Sequence, residues 1–288
     1  MNEAEDDPVR VSLLITCVVD VIAPEVGEAA VRTLRAAGCT VSCDLGQTCC
    51  GRPAWDAGCA EEAAAVARPT LAALEAELDR GAAAVVVPSA SCAAMVRCHW
   101  PELFAIVGDA DTARRARRVG EQTHEWSALL ASRVDHLPEP VRHLPRRLAL
   151  HHACRLGATD GAVNVLFDQV AAGAGDEAVA WTGADRCCGF AGAPTVPEPD
   201  VPPELADLPA SALPDLHPVP TSGADAGPRA LTDDHLRALA GVDALVGCDT
   251  ACLLHLRNRA EALGSPVEVR HLAQVVEDAL PAGAEVTS

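Results

Sequence analysis

The chain has 288 residues, 22 basic against 41 acidic side chains, a formal charge of −19, and 13 cysteines. All 22 basic residues are arginine and tyrosine is absent, which removes lysine Schiff-base, pyridoxal-phosphate and P-loop chemistry and any tyrosyl acid. So acidic a surface also repels phosphate backbones, and nucleic acid is not an expected partner.

With 49 % hydrophobic and 22 % charged residues, the composition is that of a globular protein with room for two domains. The N-terminus, MNEAEDDP, lacks the charged-then-apolar pattern of a signal peptide. The apolar stretch from Val11 to Pro24 is too short to span a bilayer and carries Asp20. The expected location is therefore the cytoplasm, where thirteen thiols point to metal or redox work rather than disulfides.

In chain order, Val11–Val19 reads as a buried strand, and a helix opens at Pro24 and stops at Gly38. Its apolar positions Val26, Ala30, Leu34 and Ala37 share one face. Thr40–Asp44 is a second strand, followed by Gln47–Gly51 (QTCCG) and a helix from about 58 to 80, kinked or broken at Pro69. Ala83–Pro88 is a third strand that delivers Ser89–Cys92.

The second half repeats this order. Arg147–Leu150 leads to His151, His152 and Cys154, a helix follows near Ala162–Ala172, and a strand at Ala178–Trp181 runs into Asp185–Gly189 (DRCCG). Ala244–Gly247 is a strand delivering Cys248–Cys252 (CDTAC). Each half closes alike, with THEWSALLASRV matching VRHLAQVVEDAL. The expected fold is α/β, two tandem pseudo-repeated units of residues 1–142 and 143–288, each a small parallel sheet with flanking helices. Residues 193–228 hold ten of the 21 prolines and no periodicity, the mark of a surface loop or disordered insertion in the second unit.

The cysteines carry the repeat themselves. Cys17 precedes the Cys49-Cys50-Gly51 triplet by 31 intervening residues, and Cys154 precedes Cys187-Cys188-Gly189 by 32. A single cysteine then follows each pair, Cys92 and Cys252. Roughly 0.04 such triplets are expected by chance at this composition; two occur, in register. Loops at the C-terminal ends of parallel strands converge on one edge of a sheet. Each half is thus expected to gather four sulfurs: Cys17, Cys49, Cys50 and Cys92, then Cys154, Cys187, Cys188 and Cys252. Four thiolates suit an iron–sulfur cluster or a tetrahedral zinc ion, and buried apolar thiols are the plain alternative. Gly51 and Gly189 would let the backbone bend so that both members of each pair face one site.

On these motifs the chain resembles the cysteine-rich CCG-domain family. That domain occurs twice in the cysteine-rich subunit of heterodisulfide reductase, in the iron–sulfur subunit of glycolate oxidase and in lactate utilisation protein A. The likeness is carried by TCVVDVIAPEVGEAAVRTL, GQTCCGRPAWDAG, VVVPSASCAAMV, DRCCGFAG and ACLLHL. It implies an iron–sulfur protein, with 4Fe-4S clusters held by the eight motif cysteines. It further implies an electron-transfer subunit of a cytosolic complex that oxidises L-lactate, or a related 2-hydroxy acid, to pyruvate. The expected partners are a ferredoxin-like iron–sulfur subunit and an accessory subunit. In the heterodisulfide reductase pattern the last cysteines of each domain form Cys-x-x-Cys; here Ser89 and Asp249 stand at the first of those positions. Four-cysteine coordination, or Asp249 as an oxygen ligand, replaces a five-cysteine cluster, and Cys248 is a candidate extra ligand. His152 stands where relatives have aspartate. Two other readings stay open: a zinc-stabilised scaffold or binding module, and a thiol–disulfide redox protein acting through the vicinal pairs.

Among the remaining residues, Cys39, Cys43, Cys59 and Cys98 are expected to pack within helices and strands. His151 and His152 flank Cys154 and are placed to shuttle protons, to donate to sulfur or simply to hydrogen-bond at a strand end. His99 and His255 are expected in packing or surface roles. Arg52 and Arg186 either bind a carboxylate or counter-charge the thiolates. The Arg114–Arg118 run reads as a solvated helical face or a contact for an acidic partner. No catalytic residue is assigned.

Overall fold

The computed structural model describes residues 8–154, 160–190, 232–233 and 236–284; the expected proline-rich insertion at 193–228 lies outside them. Two four-stranded, wholly parallel sheets form, in the orders β2-β1-β3-β4 and β6-β5-β7-β8. The first comprises β1 (Val9–Leu13), β2 (Cys39–Ser42), β3 (Ala84–Val87) and β4 (Thr123–Glu125); the second comprises β5 (Arg147–His151), β6 (Glu177–Ala178), β7 (Ala244–Gly247) and β8 (Glu268–His271). The strand order is the same in both, so the internal repeat read from the cysteines is a repeat of the backbone. The all-buried Ala-Val-Val-Val run of β3 shows why: a parallel strand covered on both faces carries no polar alternation.

Helices α1 (Cys17–Ile22), α2 (Pro24–Ala36), α3 (Arg52–Asp56) and α4 (Ala60–Asp79) lie between β1 and β3. A helical run, α5 (Ala90–Ala94), a π-helical turn at Met95–His99, α6 (Trp100–Ile106) and α7 (Ala110–Glu121), connects β3 to β4, and α8 (Trp126–Ala131) follows β4. In the second half α9 (Asp160–Ala174) follows β5, α10 (Thr250–Leu263) links β7 to β8, and α11 (Leu272–Asp278) follows β8.

The helix-start signals hold, since α2 opens on Pro24 with its apolar face, Val26, Ala30 and Leu34, buried. The strand expected over Val11–Val19 is shorter. The Leu14 N–H makes the last ladder bond, to the Val86 carbonyl, and the apolar residues beyond it turn into α1, where Val19 packs with Ala23 and Val26. Of the two outcomes expected at Pro69, a kink or a break, the break does not occur: α4 runs continuously from Ala60 to Asp79. Likewise, the strand expected at Ala178–Trp181 ends at Ala178.

A single apolar core passes through both halves. It joins Leu13, Leu34, Val86, Trp126 and Leu130 to Leu150, Val163, Val246, Leu272 and Val276. Helix α2 packs on α11, and α8 packs on α9. The helix after the first strand of each half thus rests on the helix after the last strand of the other, the reciprocal pattern of an isologous contact. No helix among the described residues is long and apolar enough to cross a membrane.

Candidate metal centres

The loop carrying Cys49 and Cys50 is pinned against α4. The Val66 carbonyl accepts the Thr48 hydroxyl at 3.1 Å. One turn on, Thr70 Oγ1 accepts the Thr48 N–H at 2.9 Å and donates to the Cys49 carbonyl at 3.2 Å. The Trp100 indole N–H donates to the Cys50 carbonyl at 2.8 Å. Gly51, at φ +83°, turns the chain into α3, and a Cβ there would lie 2.6 Å from the Ala63 carbonyl oxygen. No residue but glycine fits both demands. Arg52 closes the loop by pairing with Asp56 at 2.6 Å and donating to the Ser91 carbonyl at 3.0 Å. The loop-holding roles of Thr48, Thr70 and Trp100 carry no motif of their own and are not legible in the sequence.

Three strand-end loops then meet. Cys17 Sγ lies 3.7 Å from Cys49 Sγ, and Cys50 Sγ lies 3.3 Å from Cys92 Sγ. In the second half Cys154 and Cys187 are 3.9 Å apart. Cys188, Cys252 and His151 present ligand atoms that all lie within 4.8 Å of one another, and all three residues are buried. The expected cysteines are thus brought together as close pairs: Cys17 with Cys49, Cys50 with Cys92, Cys154 with Cys187, and Cys188 with Cys252. Two thiolates at about 2.3 Å from one zinc ion would be about 3.8 Å apart, the spacing of these sulfur pairs; among the described residues the one group of three donors within 4.8 Å of one another is His151, Cys188 and Cys252. All thirteen cysteines are thiols rather than disulfides.

Within each corner the thiols are pushed in opposite directions, and hydrogen bonding to the adjacent Cys49 and Cys187 raises Cys50 and Cys188. A hydrogen bond from Cys17, with help from Cys50 and the Gly51 and Cys50 N–H groups, pulls the Cys49 thiol far below its ordinary value; the same contact pushes Cys17 up. Cys187 is lowered in the same manner by Cys154, Cys188 and the Gly189 N–H, with His151 adding to the effect. A thiolate formed without a metal is a nucleophilic, cation-seeking group.

Other expected residues fall elsewhere. Cys248 is fully buried in the core shared by the halves, apart from the cluster that contains Cys188 and Cys252. Asp249 accepts from Ser89 Oγ at 3.0 Å, the Ser91 N–H at 2.7 Å and the Cys252 N–H at 3.1 Å. Burial pushes this carboxyl up, but those donors outweigh it and hold it below its ordinary value. Asp249 therefore ties the Cys92 loop to the Cys252 loop. Alongside, the Ala90 N–H donates to the Cys248 carbonyl at 3.1 Å.

Arg52 is buried in the loop and is not presented to a substrate. His152 is held between Asp185 at 2.5 Å and Asn164 at 2.7 Å. His99 stacks near Trp55, and His255 lies against Phe190 with Nε2 2.9 Å from Thr232 Oγ1. Both are the packing roles expected. Cys39 is buried as expected, but Cys43, Cys59 and Cys98 are exposed, because each lies where an element ends or turns outward. Arg115 and Arg118 pair with Glu75 on α4, so the basic run is partly an internal brace between helices.

The cysteine-rich domain model matches residues 11–97. Over the full chain, "Lactate utilization protein A" of Geobacillus kaustophilus is 31 % identical across 271 residues, covering 93 % of this chain and 98 % of that relative. The proteins of the same name from Anoxybacillus flavithermus and Shouchella clausii are 28 % and 29 % identical, each alignment again covering 93 % of this chain and 98 % of the relative.

Proposed function

This chain belongs to the lactate utilization protein A family, and from that premise we propose that it is an iron–sulfur electron carrier in the oxidation of L-lactate, or a related 2-hydroxy acid, to pyruvate. The observation that carries the reading is the doubling of the site: each half gathers four cysteine sulfurs at the C-terminal edge of its own parallel sheet. Cys17, Cys49, Cys50 and Cys92 would hold one centre, and Cys154, Cys187, Cys188 and Cys252 the other. Converting a 2-hydroxy acid to a 2-oxo acid releases two electrons and two protons. Bound 4Fe-4S clusters would each accept one electron, so two centres match the stoichiometry. Within the chain, Thr70 on α4, Trp100 and Arg52 hold the first corner in place, while Asp249 couples the two corners mechanically.

The same reading assigns the chain to a complex with a ferredoxin-like iron–sulfur subunit and an accessory subunit, in the reducing cytoplasm where its thiols persist. It sets the boundary between the two cysteine-rich domains at residues 142 and 143. A second reading, zinc-stabilised scaffolding, is favoured by one observation: the paired sulfurs, 3.3 Å apart at Cys50 and Cys92 and 3.9 Å apart at Cys154 and Cys187, are about as close as two thiolates on a single zinc ion. Anaerobic purification followed by iron, acid-labile sulfide and zinc analysis, with electron paramagnetic resonance, decides between them. Brown protein with matched iron and sulfide and a resonance on reduction is expected. Colourless protein with stoichiometric zinc would overturn the iron–sulfur reading.

A further inference from the structure

We propose that His151 is a nitrogen ligand of the second centre, acting with Cys188 and Cys252, so that the two halves hold their metals with different donor atoms. This rests on the reading that the second half is a metal centre, and it deepens that reading. The pairing registers set the comparison. Leu13 sits opposite Val86 in the first sheet and Leu150 opposite Val246 in the second, which makes Leu14 the positional counterpart of His151. Leu14 is buried against Cys50 in an apolar cluster. At the same place in the second half stands an imidazole, 1 % exposed, whose ring nitrogen falls within 4.8 Å of the Cys188 and Cys252 sulfurs.

Where leucine offers only an apolar wall, the imidazole brings a donor atom to the sulfurs. Neutral imidazole is a good ligand for zinc and iron, and nitrogen mixed with sulfur is a common donor set. The Trp181 ring lies 6.5 Å from the imidazole, at 48° to it, while the Trp181 N–H donates to the Leu150 carbonyl at 2.6 Å. That bond fixes one wall of the imidazole pocket. The inner set is therefore one nitrogen and two sulfurs, with the Cys187 sulfur 3.9 Å from that of Cys154. Cys154, exposed at the rim, is then the donor most readily exchanged for an incoming group.

Cobalt(II) alone tests this without relying on iron–sulfur assembly. The full chain carrying Cys50→Ser and Cys92→Ser, which empties the first corner, is titrated anaerobically with cobalt(II) and followed by optical and paramagnetic proton spectra. One strongly shifted, exchangeable imidazole N–H resonance is expected, and His151→Leu should abolish it and weaken cobalt binding at least about tenfold. Leucine is what the first half carries at this position, so the variant has a packing precedent; circular dichroism checks that it folds. His151→Cys should restore affinity with a stronger thiolate-to-cobalt band and no imidazole resonance. An unchanged spectrum and affinity in His151→Leu, or no cobalt uptake by the second corner, overturns the proposal. Absence of iron and sulfide in the unmodified chain would instead sink the iron–sulfur reading while leaving the nitrogen ligand standing.

Discussion

The two halves share a strand order and a three-loop corner, yet they differ where they face each other and where they face the metal. Ser89 and Asp249 occupy equivalent positions after β3 and β7, and the two meet across the divide at 3.0 Å. Glu125 and His271 are equivalent as well, each capping the helix that follows the last strand of its half. Leu14 and His151 are equivalent beside the sulfurs. The backbone frame has stayed alike while the chemistry at three matched positions has diverged. A repeat of this kind supplies two sites from one plan and lets each be tuned through single side chains.

The comparison is broken most sharply at the sulfurs. Cys50→Ser and Cys188→Ser should each remove about half of the iron from anaerobically assembled protein while leaving the other half bound; metal analysis reads this directly. Iron content unchanged from the unmodified chain in both variants would mean that the matched corners are not the binding sites.

The next largest effect lies at the paired caps. Asp249→Ala leaves the Ser89 hydroxyl and the Ser91 and Cys252 N–H groups without their acceptor, and should cost about 3 kcal/mol in denaturant unfolding; Ser89→Ala removes one donor and should cost about 1 kcal/mol. Equal costs would show that the two positions are still energetically symmetric.

The gentlest test uses pH. Burial raises the Glu125 carboxyl to about 7, so the folded state keeps a proton that the unfolded chain releases, and stability falls as pH rises from about 4.5 through 7. Burial lowers His271 to about 4, so the unfolded chain takes up a proton that the folded state refuses, and stability falls as pH drops from about 6.5 through 4. Glu125→Gln should flatten the first limb and His271→Asn the second, each by a few degrees in melting temperature followed across pH.

The sequence made the frame legible because parallel strands buried on both faces read as apolar runs, as at Ala84–Val87 and Ala244–Gly247, and because two Cys-Cys-Gly triplets in register seldom arise by chance. What holds the corners was not legible. Pro69 reads as a helix breaker, yet α4 runs through it, and only the three-dimensional packing of α4 on the Cys49–Cys50 loop makes Val66 and Thr70 the docking points for Thr48. Asp249 reads as an oxygen ligand by its spacing from Cys252, but its oxygens are taken by donors from residues 158 and 160 positions away. The role of His151 emerges only when the two sheets are superposed by register, since nothing in its neighbours marks it against His152.

The core that runs from Leu13 and Trp126 to Phe167 and Val276 leaves neither half a surface of its own on that side. A fragment ending between the sheets would present this apolar face to water and clump rather than stand alone. Oxidative damage at one corner should therefore be felt as loosening of the whole molecule, since there is no seam along which the injured part can come away.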